Sequence, residues 1–447
     1  RRERKRNVSD QSIPRSPGNN LDPWYSNYAE RTSGLSASEV RALFAVASRP
    51  EVVSLAGGMP FVSALPAEVI TGSLEKVMRE QGGVALQYGS GAGQPALREQ
   101  ILEVMALEGI RGTVDNVVTT TGSQQALDLV TKLFIDPGDV ILAEAPSYVG
   151  AIGVFRSYQA SVVHVAMDDD GLNPDALRET IAHLRGQGRR IKFLYTIPNF
   201  HNPAGVTLSA ARRPEILEIC RRNEILVLED NPYGLLHFEE KAPDALRSID
   251  ENGVIYLGSF SKTLAPGFRV GWALAPHAIR EKLILAAESA VLSPSAFSQL
   301  TVSEYLRSTD WKAQIDTFRL VYKERKEAMI AALDEYLPDL SWTDPNGGFY
   351  VWLTLPDHLD SKQMLPRAVK ELVAYTPGTA FFADGRGRHA MRLSFCYPTP
   401  ENIRVGIRRL ATVINGELDL LDTFAGTGPL RIASRDLHVS APPPDLG

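Results

Sequence analysis

The chain has 447 residues, 44% of them hydrophobic and 22% charged, which suits a globular protein of two or three domains and excludes a disordered or collagen-like one. Its net charge of −6 gives no electrostatic case for nucleic acid or an anionic membrane as partner. Two cysteines, Cys220 and Cys396, exclude a disulfide framework and a cysteine zinc site.

Eight scattered histidines lack ligand spacing, so no metal site is expected. No apolar run reaches the roughly 18 residues of a membrane span, and the N-terminal stretch lacks an apolar signal core, so a cytoplasmic location is expected.

In chain order, residues 1–20 read as a tail, opening with the charge run Arg1-Arg2-Glu3-Arg4-Lys5-Arg6. Short apolar runs then alternate with amphipathic stretches. Val117 to Thr121 reads as a strand and runs through Gly122-Ser123 into a helix from Gln124 to Phe134. Further strands are expected at Val140–Ala143, Ala160–Val165, Ile191–Thr196, Ile225–Leu228 and Val254–Leu257. Cys220 between them reads as a buried apolar residue on a helix. Continuous apolar strands alternating with helices indicate an α/β fold with a mostly parallel, doubly wound sheet.

After about Trp311 a long charged helix (Lys312 to Tyr336) and strands at Phe349–Leu353 and Met391–Phe395 suggest a smaller α+β domain. The expected division is a tail at 1–20, an N-terminal arm and part of the small domain at 21–75, a large domain at 76–310, a small domain at 311–415, and a Pro-rich tail at 416–447.

Ligands of open parallel sheets bind at the carboxyl ends of the strands. That rule selects Asp230 in Leu228-Glu229-Asp230-Asn231-Pro232-Tyr233, Lys262 in Ser259-Phe260-Ser261-Lys262, Asn202 in Asn202-Pro203-Ala204-Gly205, and Gly122-Ser123-Gln124 at a helix start. A partly desolvated lysine is a nucleophile that forms a Schiff base with an aldehyde. A carboxylate keeps a pyridine nitrogen protonated, a helix start seats a phosphate, and Arg269 offers a second anchor for it. Aldehyde, pyridine and phosphate together describe pyridoxal 5′-phosphate.

The stretch Ser259 to Trp272 resembles the S-x-S-K-x-L-x-P-G-x-R-x-G-W pattern of fold-type-I, class I/II aminotransferases. The resemblance runs from about Gly34 to about Thr412 and is greatest to the 2-aminoadipate and kynurenine aminotransferases. It includes the Ser54-to-Pro60, Leu86-to-Gly89 and Thr121-to-Leu127 blocks. It implies a large domain carrying the cofactor, a small α+β domain, and a homodimer that moves an amino group between an L-amino acid and a 2-oxo acid.

The resemblance also implies roles. Lys262 would hold the cofactor as an imine and shuttle the α-proton. Asp230 would pair with the pyridinium, Asn202 and Tyr233 would bond the phenolic oxygen, and Tyr148 would stack on the ring. Ser123, Gln124, Ser259, Ser261 and Arg269 would hold the phosphate, with Tyr88 reaching in from a second subunit. Arg392 and the backbone at Gly58 would grip the substrate carboxylate, and Arg41 would read a distal carboxylate on the side chain. A second reading keeps fold and cofactor but another reaction, such as β- or γ-replacement, decarboxylation or oxidation.

Overall fold

The computed structural model describes residues 22, 24–35 and 49–425. The expected tail at 1–20, Arg41 and the end of the chain fall outside the described residues. In chain order the strands are β1 (Val53–Ser54), β2 (Val117–Thr120), β3 (Val140–Ala145), β4 (Ser161–Asp168), β5 (Gly171–Leu172), β6 (Ile191–Thr196), β7 (Leu226–Asp230), β8 (Val254–Ser259), β9 (Gly271–Leu274), β10 (Ser341–Trp342), β11 (Tyr350–Thr354), β12 (Val373–Ala374), β13 (Thr376–Pro377) and β14 (Ala390–Ser394).

The main sheet has the order β2-β9-β8-β7-β6-β3-β4-β5. Strands β2, β3, β4, β6, β7 and β8 run one way, and β5 and β9 run the other. Every residue of β2, β3 and β8 is buried, which fits the apolar run that opens each strand. Helices Ser123–Phe134, Val149–Ser157 and His277–Val291 cover one face through Leu127, Val130, Phe155 and Leu283. Helices Pro174–Gly186 and Arg212–Arg222 cover the other through Leu177, Ile181, Ile216 and Cys220.

A second sheet, β10-β11-β14-β13, is antiparallel throughout, and β1 pairs with β12 in parallel. The long helices Trp311–Tyr336 and Pro400–Ala425 pack on each other beneath it, sharing a core of Phe318, Met329, Leu333, Ile403, Ile407 and Leu410.

One expected boundary needs correction. Helix Pro400–Ala425 runs through residue 416, where a tail was expected to begin. Its apolar stripe of Ile403, Ile407, Leu410 and Ile414 continues at Leu418, which packs on the core, and Glu417 pairs with Arg367. Helical spacing persists past the composition change, so the body extends at least to Leu418.

Candidate active site

The carboxyl end of β7 presents Asp230, which is 3% exposed. Its Oδ2 accepts a hydrogen bond from the Tyr195 hydroxyl at 2.8 Å. Tyr195 on β6 stands opposite Leu228. Asp230 lies two residues further along, on the same face of the pleat. The other oxygen, Oδ1, is buried without a partner among the described residues. Burial pushes the Asp230 carboxyl up to about 6, while the Tyr195 bond pulls it the other way.

The neighbouring β8 ends at Ser259. The chain turns through 260–270 and returns as β9, so Lys262 sits on a connection between two paired strands. Ser259 Oγ lies 2.9 Å from Ser261 Oγ and accepts the Ser261 amide at 3.0 Å. Lys262 Nζ donates to the Gly58 carbonyl at 2.9 Å and lies 5.4 Å from the Phe349 ring centre. Desolvation lowers its ammonium to about 8, helped by the charges of Arg392 and Arg269. About a tenth of the amine is therefore neutral, and nucleophilic, at pH 7, far more than for an ordinary lysine.

On the far side of β9 the end of β2 leads through Gly122 into helix Ser123–Phe134. Thr120, Gly271 and Ser259 stand side by side in register. Gly122 has φ +74°, and a Cβ there would fall 2.4 Å from Arg269 Nη2. Only glycine lets the guanidinium lie against this turn. Arg269 itself is left-handed (φ 53°) and donates to the Thr121 carbonyl at 3.3 Å. The first amides of a helix have no intrahelical acceptor. Together with the two serine hydroxyls and Arg269 they form a seat for a dianion. Gln124 donates to the Gly150 carbonyl at 3.1 Å and accepts from the Tyr148 hydroxyl at 3.4 Å. Tyr148 follows β3, and burial pushes its phenol up to about 12.

The third part comes from the antiparallel sheet. Arg392 on β14 is 3% exposed. Its Nη1 donates to Asn202 Oδ1 at 2.9 Å and its Nη2 to the Ala56 carbonyl at 2.7 Å, while Nε is buried without a partner among the described residues. The guanidinium lies 4.1 Å from the Tyr350 ring centre and 4.9 Å from that of Phe381. Tyr233 is buried, and its hydroxyl faces that of Tyr350 at 3.4 Å.

The sheet order thus gathers Lys262, Asp230, Ser259, Ser261, Arg269, Ser123 and Gln124 at the strand ends. Contacts from Gly58, Asn202, Tyr233 and Arg392 link the second sheet to them. Tyr88 is different: it is 78% exposed, and no described contact joins it to this cluster. Tyr195 and Tyr350 were not expected. Each sits in an apolar run where an aromatic reads as core, and the contact of Tyr195 with Asp230 depends on the register between β6 and β7, which no local pattern gives.

These residues fit pyridoxal phosphate. A buried carboxylate oxygen without a donor suits a pyridinium N–H, a helix start with two serines and an arginine suits the phosphate, and an amine of lowered basicity suits the aldehyde.

A family profile described as "Aminotransferase class I and II" matches residues 53–410. The chain is 43% identical over 395 residues to the aromatic-amino-acid aminotransferase 1 of Thermococcus litoralis, covering 88% of this chain and 94% of that one. It is 38% identical over 403 residues to the 2-aminoadipate transaminase of Thermus thermophilus, covering 89% and 99%. Among solved structures, the kynurenine aminotransferase of Pyrococcus horikoshii in complex with PMP, KYN and KYA superposes with a TM-score of 0.85 at 38% identity, over 89% of this chain and 99% of that one. The chain belongs to the class I and II aminotransferases and is an enzyme that uses pyridoxal phosphate to move an amino group between an amino acid and a 2-oxo acid.

Proposed function

We propose that Lys262 is the residue to which the cofactor attaches and that Asp230, Arg269 and Arg392 hold its ring, its phosphate and the substrate. The observation that carries this reading is the position of Lys262 Nζ, 2.9 Å from the Gly58 carbonyl on a turn whose ends adjoin Asp230 and Gly122. Pyridoxal phosphate, when bound, supplies the aldehyde that takes up the amino group and a ring that accepts electron density from the substrate Cα.

The chain's own residues do the rest. The Lys262 amine would hold the aldehyde and would serve as the base that moves the proton of the substrate Cα. Asp230, ionised above about 6, holds the proton on the ring nitrogen. Asn202 and Tyr233 orient the phenolic oxygen, and Tyr148 covers the ring. Ser123, Gln124, Ser259, Ser261 and Arg269 bind the phosphate. Arg392, already held by Asn202 and Ala56, keeps its fork in place for the α-carboxylate.

The enzyme works in this reading as a cytoplasmic homodimer. Tyr88 is exposed beside the exposed apolar residues Val84, Leu86 and Leu292, and the Gly89 amide bonds Ser293, so these segments adjoin. A partner covering this face would bury them and carry the partner's Tyr88 to the phosphate.

Its substrates are amino acids with aromatic or long acidic side chains, as the names of the relatives suggest. Arg41, outside the described residues, is the reader proposed for the acidic ones. Arg41→Ala should raise KM for 2-aminoadipate by about ten- to a thousandfold and leave that for phenylalanine unchanged, with equal losses on both refuting the role. Borohydride reduction of the holoenzyme followed by peptide mapping tests the central reading: the pyridoxyl label is expected on Lys262, and a label on another lysine overturns it.

A further inference from the structure

Tyr350 has no role in the reading above, yet its side chain is fixed on several sides. It is 3% exposed on β11. Its hydroxyl stands 3.4 Å from that of Tyr233. The same hydroxyl presses on Gly58, where a Cβ would fall 1.9 Å from the oxygen and 3.0 Å from the ring carbon that bears it. The ring packs edge to face on Tyr233, with centres 6.0 Å apart, and on Phe349, at 6.1 Å. One ring face lies 4.1 Å from the Arg392 guanidinium. Burial raises both phenols well above the ordinary range for Tyr233 and upward for Tyr350, so both stay protonated through neutral pH.

A phenol has one proton to give and two lone pairs to receive. If Tyr233 spends its proton on the cofactor's phenolic oxygen, its contact with Tyr350 runs the other way, with Tyr350 donating to the Tyr233 oxygen. We infer that Tyr350 is a positioning residue: its hydroxyl donates to that of Tyr233 and thereby strengthens the hydrogen bond that Tyr233 makes to the cofactor. This rests on the role proposed above for Tyr233. Donors in series polarise one another, so the pair stabilises negative charge on the cofactor oxygen better than Tyr233 alone. The Tyr350 ring performs a separate task, as a platform under Arg392.

The two tasks separate by substitution. Tyr350→Phe keeps the ring and removes the hydroxyl. In the holoenzyme, the pH midpoint of the cofactor's visible absorbance should rise by about half a unit or more, because the cofactor oxygen then bears negative charge less readily. KM for the amino acid should stay within about twofold, since the ring remains under Arg392. Tyr233→Phe is the reference and should raise the midpoint further, and the double variant should match Tyr233→Phe alone. A Tyr233→Phe midpoint equal to wild type overturns the role of Tyr233 and this inference with it. If Tyr233→Phe shifts the midpoint and Tyr350→Phe does not, or if the double variant adds the two shifts, Tyr233 keeps its role and the inference about Tyr350 falls.

Discussion

Tyr195→Phe isolates the support of Asp230 without touching the carboxylate itself. The hydroxyl gives Asp230 Oδ2 a hydrogen bond of 2.8 Å between two buried groups. A hydrogen bond to a charged group contributes about 1.5–3 kcal/mol, and one pKa unit corresponds to about 1.4 kcal/mol. Losing it should raise the Asp230 carboxyl from about 6 by roughly one to two units, toward about 7 to 8. The ionised form is the one that holds the ring proton. Cofactor affinity is therefore complete above the carboxyl's pKa and falls as the pH drops through it. At pH 7 the ionised fraction should drop from about nine-tenths to between a half and a tenth, and affinity by about two- to tenfold. The assay is fluorescence titration of apoprotein with pyridoxal phosphate from pH 5 to 9. The midpoint of the affinity curve should move upward in the variant, with affinities converging at high pH. Coincident midpoints would refute the argument that Tyr195 keeps Asp230 charged.

The rate at which apoprotein takes up the cofactor should climb with pH and level off above about 8, as the Lys262 ammonium gives up its proton. Stopped-flow absorbance reads this, and a rate independent of pH between 6 and 9 would contradict the lowered basicity. Gly58→Ala should cost most of the turnover, because the new methyl falls 1.9 Å from the Tyr350 hydroxyl and must displace it or the carbonyl that Lys262 bonds. Near-native kcat/KM in that variant would show that the segment around Gly58 gives way easily. Arg392→Lys should raise KM by about ten- to a hundredfold with a smaller change in kcat, since a point charge replaces a fork that already bonds Asn202 and Ala56. Steady-state kinetics with one amino acid and one oxo acid decides it.

Much of the site was legible because strand ends carry the chemistry in this architecture. Asp230 closes an apolar run, Ser259 closes another, and Gly122-Ser123 marks a strand-to-helix turn, so motif and position pointed the same way. The sequence hid β9. Gly271-Trp272-Ala273-Leu274 is short, and its direction depends on pairing with β2 and β8 rather than on local pattern. It also hid the pairing of Asp230 with Tyr195 and of Tyr233 with Tyr350. Those contacts join residues 35 and 117 positions apart, and a tyrosine inside an apolar run looks the same whether its hydroxyl serves a site or merely finds a partner. The persistence of the last helix past 416 was visible in its apolar spacing but was outweighed by the polar composition around it.

The position of β9 also sets an order of assembly as the chain leaves the ribosome. Strand β2 is synthesised early, but its hydrogen-bonding neighbour in the sheet is β9, which emerges only after β3 through β8 are made. Until then β2 lacks its strand partner, and the turn at Gly122 has no Arg269 against it. The two halves of the proposed phosphate seat thus meet only after β9 has been made. Arg392 follows on β14, later still. A nascent chain released through Leu274 has every strand that frames the cofactor's phosphate, whereas the grip on the substrate carboxylate waits for the second sheet. In synthesis, the strands proposed to frame the cofactor's phosphate precede the one that carries Arg392.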